Sequence, residues 1–154
     1  MAADVTALVK AALCGELEKL RDQVRELAAP LDEAPFWRKP VEPGNSFGHL
    51  VLHLTGNLSH FVGAQLGGSG YVRDREREFT ETARPPRPEL LGNLDAAVET
   101  FRRVVEGLSA ERLAAPHPEG RFGTVYGTLV HLVAHFALHR GQMSYIVRLV
   151  RPAA

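Results

Sequence analysis

An all-α fold, most simply a four-helix bundle, is what this sequence predicts. Three observations carry that reading. Prolines cluster at Pro30, Pro35, Pro40 and Pro43, at Pro85, Pro86 and Pro88, and at Pro116 and Pro118, with Pro152 near the end. Proline lacks an amide N–H and clashes with the preceding turn, so these clusters cut the chain into four long segments that can be helical. Each segment repeats apolar residues every three to four positions, the spacing of one helix face. No alternating apolar–polar run suggests a strand. Four such helices bury their stripes most simply against one another.

The first helix is predicted from about Asp4, a candidate N-cap, to Ala29, with Val5, Leu8, Ala12, Leu17, Leu20, Val24 and Leu27 as its stripe. The second opens at Ser46 (or Asn45) and ends at Gly67-Gly68, with Phe47, Leu50, Leu54, Leu58 and Phe61 on its apolar face. The third starts with Pro88 at or near its first position and runs through Leu91, Leu94, Val98, Phe101, Val105 and Leu108. The fourth opens at Thr124 and reaches about Val150, with Val125, Leu129, Leu132, Phe136, Met143 and Val147 facing the core. The link from Gly67 to Arg87 is long enough to cross the bundle. Links of that length are often functional or disordered.

Length fits one domain over residues 1–154. Lys plus Arg and Asp plus Glu are both 18, so the net charge is zero. Nucleic-acid binding needs a basic excess to neutralise phosphates, so that partner class is not expected. No apolar run reaches the roughly 18 residues of a membrane span. The N-terminus shows no basic region followed by an apolar run, so a cytoplasmic setting is the expectation. Cys14 is the one cysteine, which excludes a disulfide framework. Its place between Leu13 and Gly15 in a helical pattern reads as inert packing.

Chemistry concentrates in the histidines. His131, His135 and His139 recur every fourth residue of the fourth helix, so they rise along one side of it. Two imidazoles four apart can share a divalent cation if another element adds a third ligand. At about 100° per residue, His139 lies about 50° from the stripe centre, His135 about 90° and His131 about 130°. His131 and His139 are also about 12 Å apart along the axis, too far for one ion. The favoured pair is His135 and His139. On the second helix His53 lies closer to the stripe than His49 or His60, which favours it only weakly. His117, in a proline-bounded loop, is expected to face solvent. Three imidazoles would leave an open position on Zn²⁺, Ni²⁺ or Fe²⁺, the pattern of a catalytic rather than a structural site. No His-Glu-x-x-His motif is present, so the protease-type zinc helix is excluded.

Two segments carry a family resemblance. Ser46-x-Gly48-His49-Leu50-x-x-His53-Leu54 and His131-x3-His135-x3-His139-Arg140-Gly141-Gln142 resemble the signature segments of the DinB-like (DinB/YfiT) metalloenzymes. Gly56-Asn57-Leu58 and the run Arg73 to Phe79 are similar to one uncharacterised branch. The resemblance implies an up-down-down-up bundle, often a homodimer. It implies one divalent metal per chain, held by His53, His135 and His139. It also implies a small-molecule substrate and a low-molecular-weight thiol, because characterised relatives include bacillithiol S-transferases and a mycothiol-dependent maleylpyruvate isomerase. A thiol-dependent S-transferase or related hydrolase is therefore one expectation. A non-catalytic, stress-associated bundle that holds a small ligand is the other.

Around these ligands, Gln142 follows His139 by three residues and Asn57 follows His53 by four, so both can support or line a site. His49 and His131 are further pocket candidates. The alternating charges of Arg73 to Glu78 read either as a solvated face or as a lid. In a lid, Phe79 would pack inward and Arg73, Arg75 or Arg77 would meet an anionic substrate. Phe36 and Trp37 would cover the bundle end or shield the site. Arg140 is expected to pair elsewhere. Gly48, Gly56 and Gly63 recur about every two turns and would permit close helix approach.

Overall fold

The computed structural model describes residues 4–151, which leaves Pro152 outside the described residues. Four long helices form the frame: α1 Val5–Ala28, α3 Phe47–Leu58, α5 Arg87–Glu106 and α7 Val125–Val150. Three short ones occupy the links: α2 Glu33–Trp37, α4 Arg77–Thr80 and α6 Ala110–Ala114. Among the described residues there is no strand, only an isolated bridge between Pro116 and Thr124. α1 packs on α5 and α7, and α3 packs on the same two, which closes a ring of four around one core.

Helix starts follow side-chain chemistry. The side chains of Asp4, Ser46 and Thr124 accept from the amides of Ala7, His49 and Gly127. Each satisfies a first-turn N–H that has no partner within its helix. Pro88 sits in the first turn of α5, where no N–H is needed. After Leu58 the second long helix continues for one stretch, Ser59–Ala64, with the wider π hydrogen-bond pattern. Such insertions are uncommon and often lie near functional sites.

The stripe of α1 departs from expectation. Val5 and Leu8 are 68% and 59% exposed, and Ala12 is also exposed. The buried set is Leu13, Cys14, Leu17, Leu20, Val24 and Ala28. Leu17, Leu20 and Val24 set the helical phase, and stepping back three or four residues from Leu17 lands on Leu13 and Cys14, not Ala12. Burial pushes the Cys14 thiol up to about 11, with Glu106 and Glu18 adding to it, so the group is an inert packing element.

The long link after α3 lies over that helix, with α4 against it. Phe36 and Trp37 are buried beside Phe47 and His49 and seal that part of the core. A Cβ on Gly48 would come within 2.8 Å of the Trp37 ring, so glycine there makes room for the indole. Gly48 and Gly56 thus make room for link side chains, Trp37 and Glu78, whereas Gly63 lies against Ser69 and, on α5, Thr100. No helix among the described residues is long and apolar enough to cross a membrane.

Candidate metal centre

Leu50 and Leu54 on α3, and Leu132 and Phe136 on α7, are fully buried and fix the two helices against each other. That packing turns His53, His135 and His139 towards one point. His135 Nε2 lies 3.2 Å from His53 Nε2 and 3.0 Å from His139 Nε2. All three ligand nitrogens fall within 4.8 Å of one another. A tetrahedral ion with imidazole bonds of 2.0–2.1 Å needs nitrogens about 3.3 Å apart. The spacing fits.

Proton placement points the same way. A carboxylate can only accept, so the His53 Nδ1–H donates to Glu78 Oε2 at 2.8 Å. The His139 Nδ1–H donates to Gln142 Oε1 at 2.7 Å. With one proton on each ring, both present an Nε2 lone pair to His135. If His135 carries its proton on Nε2, it donates to one neighbour and leaves the other lone pair and its own Nδ1 unmatched. If the proton is on Nδ1, three lone pairs face one another, and that N–H is buried with no partner. Neither arrangement satisfies the cluster from within. A shared cation accepts all three lone pairs. Burial, then the charge of His139, His53 and His131, holds His135 down to about 3. Burial also lowers His139, against the raising effect of Gln142. Both are therefore neutral near pH 7, the form that binds metal.

His53 is held from behind. Glu78, 5% exposed, comes from the link over α3. Arg73 donates to it twice, Nε to Oε1 at 2.7 Å and Nη2 to Oε2 at 2.8 Å. Burial alone would raise this carboxyl, but the bonds from His53 and Arg73 outweigh it and lower it. Glu78 is thus an anion that fixes the His53 tautomer and ring, as carboxylates behind metal-bound histidines do. A Cβ on residue 56 would run into this carboxylate, so Gly56 is what lets Glu78 reach His53.

The DinB superfamily model matches residues 16–143. This chain belongs to the DinB superfamily. A crystal structure described as the conserved protein of locus from Enterococcus faecalis has the same fold. Its TM-score is 0.76 at 18% identity, over 97% of this chain and 98% of that one. Comparison with the curated proteins found no match.

In this DinB chain the three nitrogens sit on the wall of a cavity of about 540 Å³. Asn57, 7% exposed, and Gln142 line it. His131 lies at its exposed side, stacked on Phe122 at 4.3 Å and 19°, with its ring 5.9 Å from that of His135. His49 is elsewhere. Its Nδ1 accepts from the Ser46 hydroxyl, its Nε2–H donates to the Glu81 carbonyl, and its ring meets Trp37. It completes the N-cap of α3 and does not line the cavity.

Of the charge run, Arg73 and Glu78 face inward and Phe79 packs on His53 at 4.8 Å. Asp74 caps the Arg77 amide, and Arg77 pairs with Glu81. The run is therefore not a free solvated face: Arg73 and Arg77 are held by Glu78 and Glu81, and Arg75 lines the cavity. His117 corrects its expectation: it is 2% exposed, donates to the Phe61 carbonyl and accepts from the Glu119 amide. A buried ring bridging two backbone groups ties the α6–α7 link to the second helix. Arg140 makes no ion pair among the described residues, and its Nε is buried without a partner.

A second cavity of about 760 Å³ lies between α3, α5 and the link, with no histidine on its walls. Its size does not outweigh the convergent nitrogens of the smaller one. Glu78 and Arg121 are the site residues that sequence reasoning missed. Gly56 was the one signal for Glu78.

Proposed function

We propose that this protein is a divalent-metal-dependent transferase, taking Zn²⁺, Ni²⁺ or Fe²⁺ on His53, His135 and His139 and acting on a low-molecular-weight thiol. A related hydrolase shares the same requirements. The observation that carries the metal is the set of three Nε2 atoms, all turned inward, which the cluster cannot satisfy without a cation; the thiol is what the family resemblance implies. A cation there would supply Lewis acidity, lowering the pKa of a thiol or water at its open position. The chain's own residues do the rest. Glu78 and Gln142 fix two rings by their Nδ1 protons. Phe61, Phe79 and Phe122 give a mainly polar cavity apolar surface for a bound molecule to rest on. Asn57 offers an amide to a bound molecule.

The test is a panel of small thiols with an electrophile, run on metal-loaded protein. Thiol consumption should be lost on chelation and restored by adding the ion back. Stoichiometric metal with no turnover across the panel would favour the second reading, a non-catalytic holder of a small ligand. That reading draws support from the same cavity, which fits a small molecule whether or not it reacts.

We also infer a homodimer through the outer face of α7. Tyr126, Val130, Leu138, Tyr145 and Leu149 are exposed there, and α7 contains no acidic residue. A helix apolar on both sides is usually covered, and a second copy of the same face carries no acid to desolvate. Sedimentation should give a dimer, and Leu138→Glu should give a folded monomer. A monomeric wild type would overturn the inference.

A further inference from the structure

The cavity above the three nitrogens carries more positive than negative charge: Arg73 is neutralised by Glu78, and Arg75 and Arg121 face one wall acid, Glu119. Arg75 and Arg121 both line it. The Arg75 guanidinium lies 5.5 Å over the Phe79 ring, and that of Arg121 lies 4.5 Å over Phe122 and 6.0 Å from Phe61. A guanidinium laid on a ring keeps its N–H edge free to bind. Neither has a hydrogen-bond or ion-pair partner among the described residues, whereas Arg73 is held by Glu78 and Arg77 by Glu81. The acid on the cavity wall, Glu119, is engaged by His60 at 3.3 Å.

The two rings that carry the arginines also border the histidines. Phe79 tilts against His53, and Phe122 stacks on His131. Asn57, more than nine-tenths buried, has an amide with no partner among the described residues. One wall therefore brings Arg75 from the link after α3, and another brings Arg121 from the link before α7, with a polar group deeper in.

We propose that Arg75 and Arg121 hold the anionic oxygens of a small molecule, a carboxylate or a phosphate, at the mouth of the three-histidine cavity. Planar guanidinium edges match such groups in paired hydrogen bonds. Positive charge beside low-dielectric walls concentrates anions. The bound molecule then points its other end at the nitrogens, with Asn57 alongside. This names a substrate class for the function proposed above and in that sense rests on it. The anion subsite itself uses none of the metal ligands.

The experiment is a calorimetric titration of glutarate, methyl phosphate and uncharged glutaramide into metal-free and zinc-loaded protein. At least one anion should bind the metal-free protein, with glutaramide weaker, and raised salt should weaken the anion. The tighter of the two anions identifies the group. Arg75→Ala and Arg121→Ala should each weaken it by roughly tenfold, the scale of a lost charge-assisted hydrogen bond. Arg112→Ala, on α6, should not. Anion binding that needs zinc, equal binding of glutaramide, unchanged affinity in both arginine variants or no binding of either anion would each overturn the proposal. A protein that takes no zinc but still binds the anion would defeat the metal reading alone.

Discussion

His135→Ala will lose stoichiometric metal while keeping its helices. His135 is the middle of the three nitrogens, within 3.2 Å of both others. Two ligands on separate helices remain in the variant, too few for a stable zinc site. Elemental analysis of purified protein should fall from about one ion per chain to near zero. Zinc should raise the wild-type melting temperature, because an ion bound only by the folded state stabilises it by mass action. The variant should show no such rise. His131→Ala is the control: it removes an exposed ring stacked on Phe122 and should keep the metal. Metal retained by His135→Ala would sink the assignment.

The same substitution changes the acid response of the metal-free protein. His135 has its pKa lowered from 6.5 to about 3 in the fold, chiefly by burial. Between those values the unfolded chain takes up a proton that the folded chain refuses. Stability therefore rises with pH across that window and is lost as pH falls through it. His135→Ala removes this contribution. Its stability should decline less steeply below pH 6.5 than that of the metal-free wild type, by denaturant titration.

Much of this arrangement is legible in the sequence. Proline placement and helical period located the long helices, since both act within a few residues of chain. The pairing of His135 with His139 needed only the four-residue rise. His53 was harder. Periodicity left it barely ahead of His49, and the family resemblance chose between them. Its packing against α7 depends on contacts made some 80 residues away in sequence. Glu78 was not legible as an anchor for His53. It stands among alternating charges, any of which could have turned inward, and the choice rests on space left by Gly56 on another element. His117 failed for a related reason: a loop histidine reads as solvated until the carbonyl that buries it is known. The first turns of α1 failed because the phase set by Leu17, Leu20 and Val24 turns Val9 towards the core and leaves Val5 and Leu8 outside.

Glu78→Gln will weaken metal binding by about ten- to a hundredfold, the range for loss of an anion behind a ligating histidine. The amide oxygen can still accept from His53, so the ring is not freed. What disappears is the negative charge that makes the imidazole a stronger donor, and half of the paired acceptor for Arg73. Glu78→Ala goes further. It leaves the Arg73 guanidinium largely buried without its partner, which costs about 3–5 kcal/mol in comparable pairs. Gly56→Ala separates the two effects. Every charge is kept, but the new methyl occupies the place of the Glu78 carboxylate and moves it off His53. Competition with a chelator of known affinity reads all three. If Glu78→Gln binds zinc as tightly as wild type, Glu78 serves only to hold the link over α3. If Gly56→Ala weakens zinc as much as Glu78→Ala does, the charge acts only through its contact with His53.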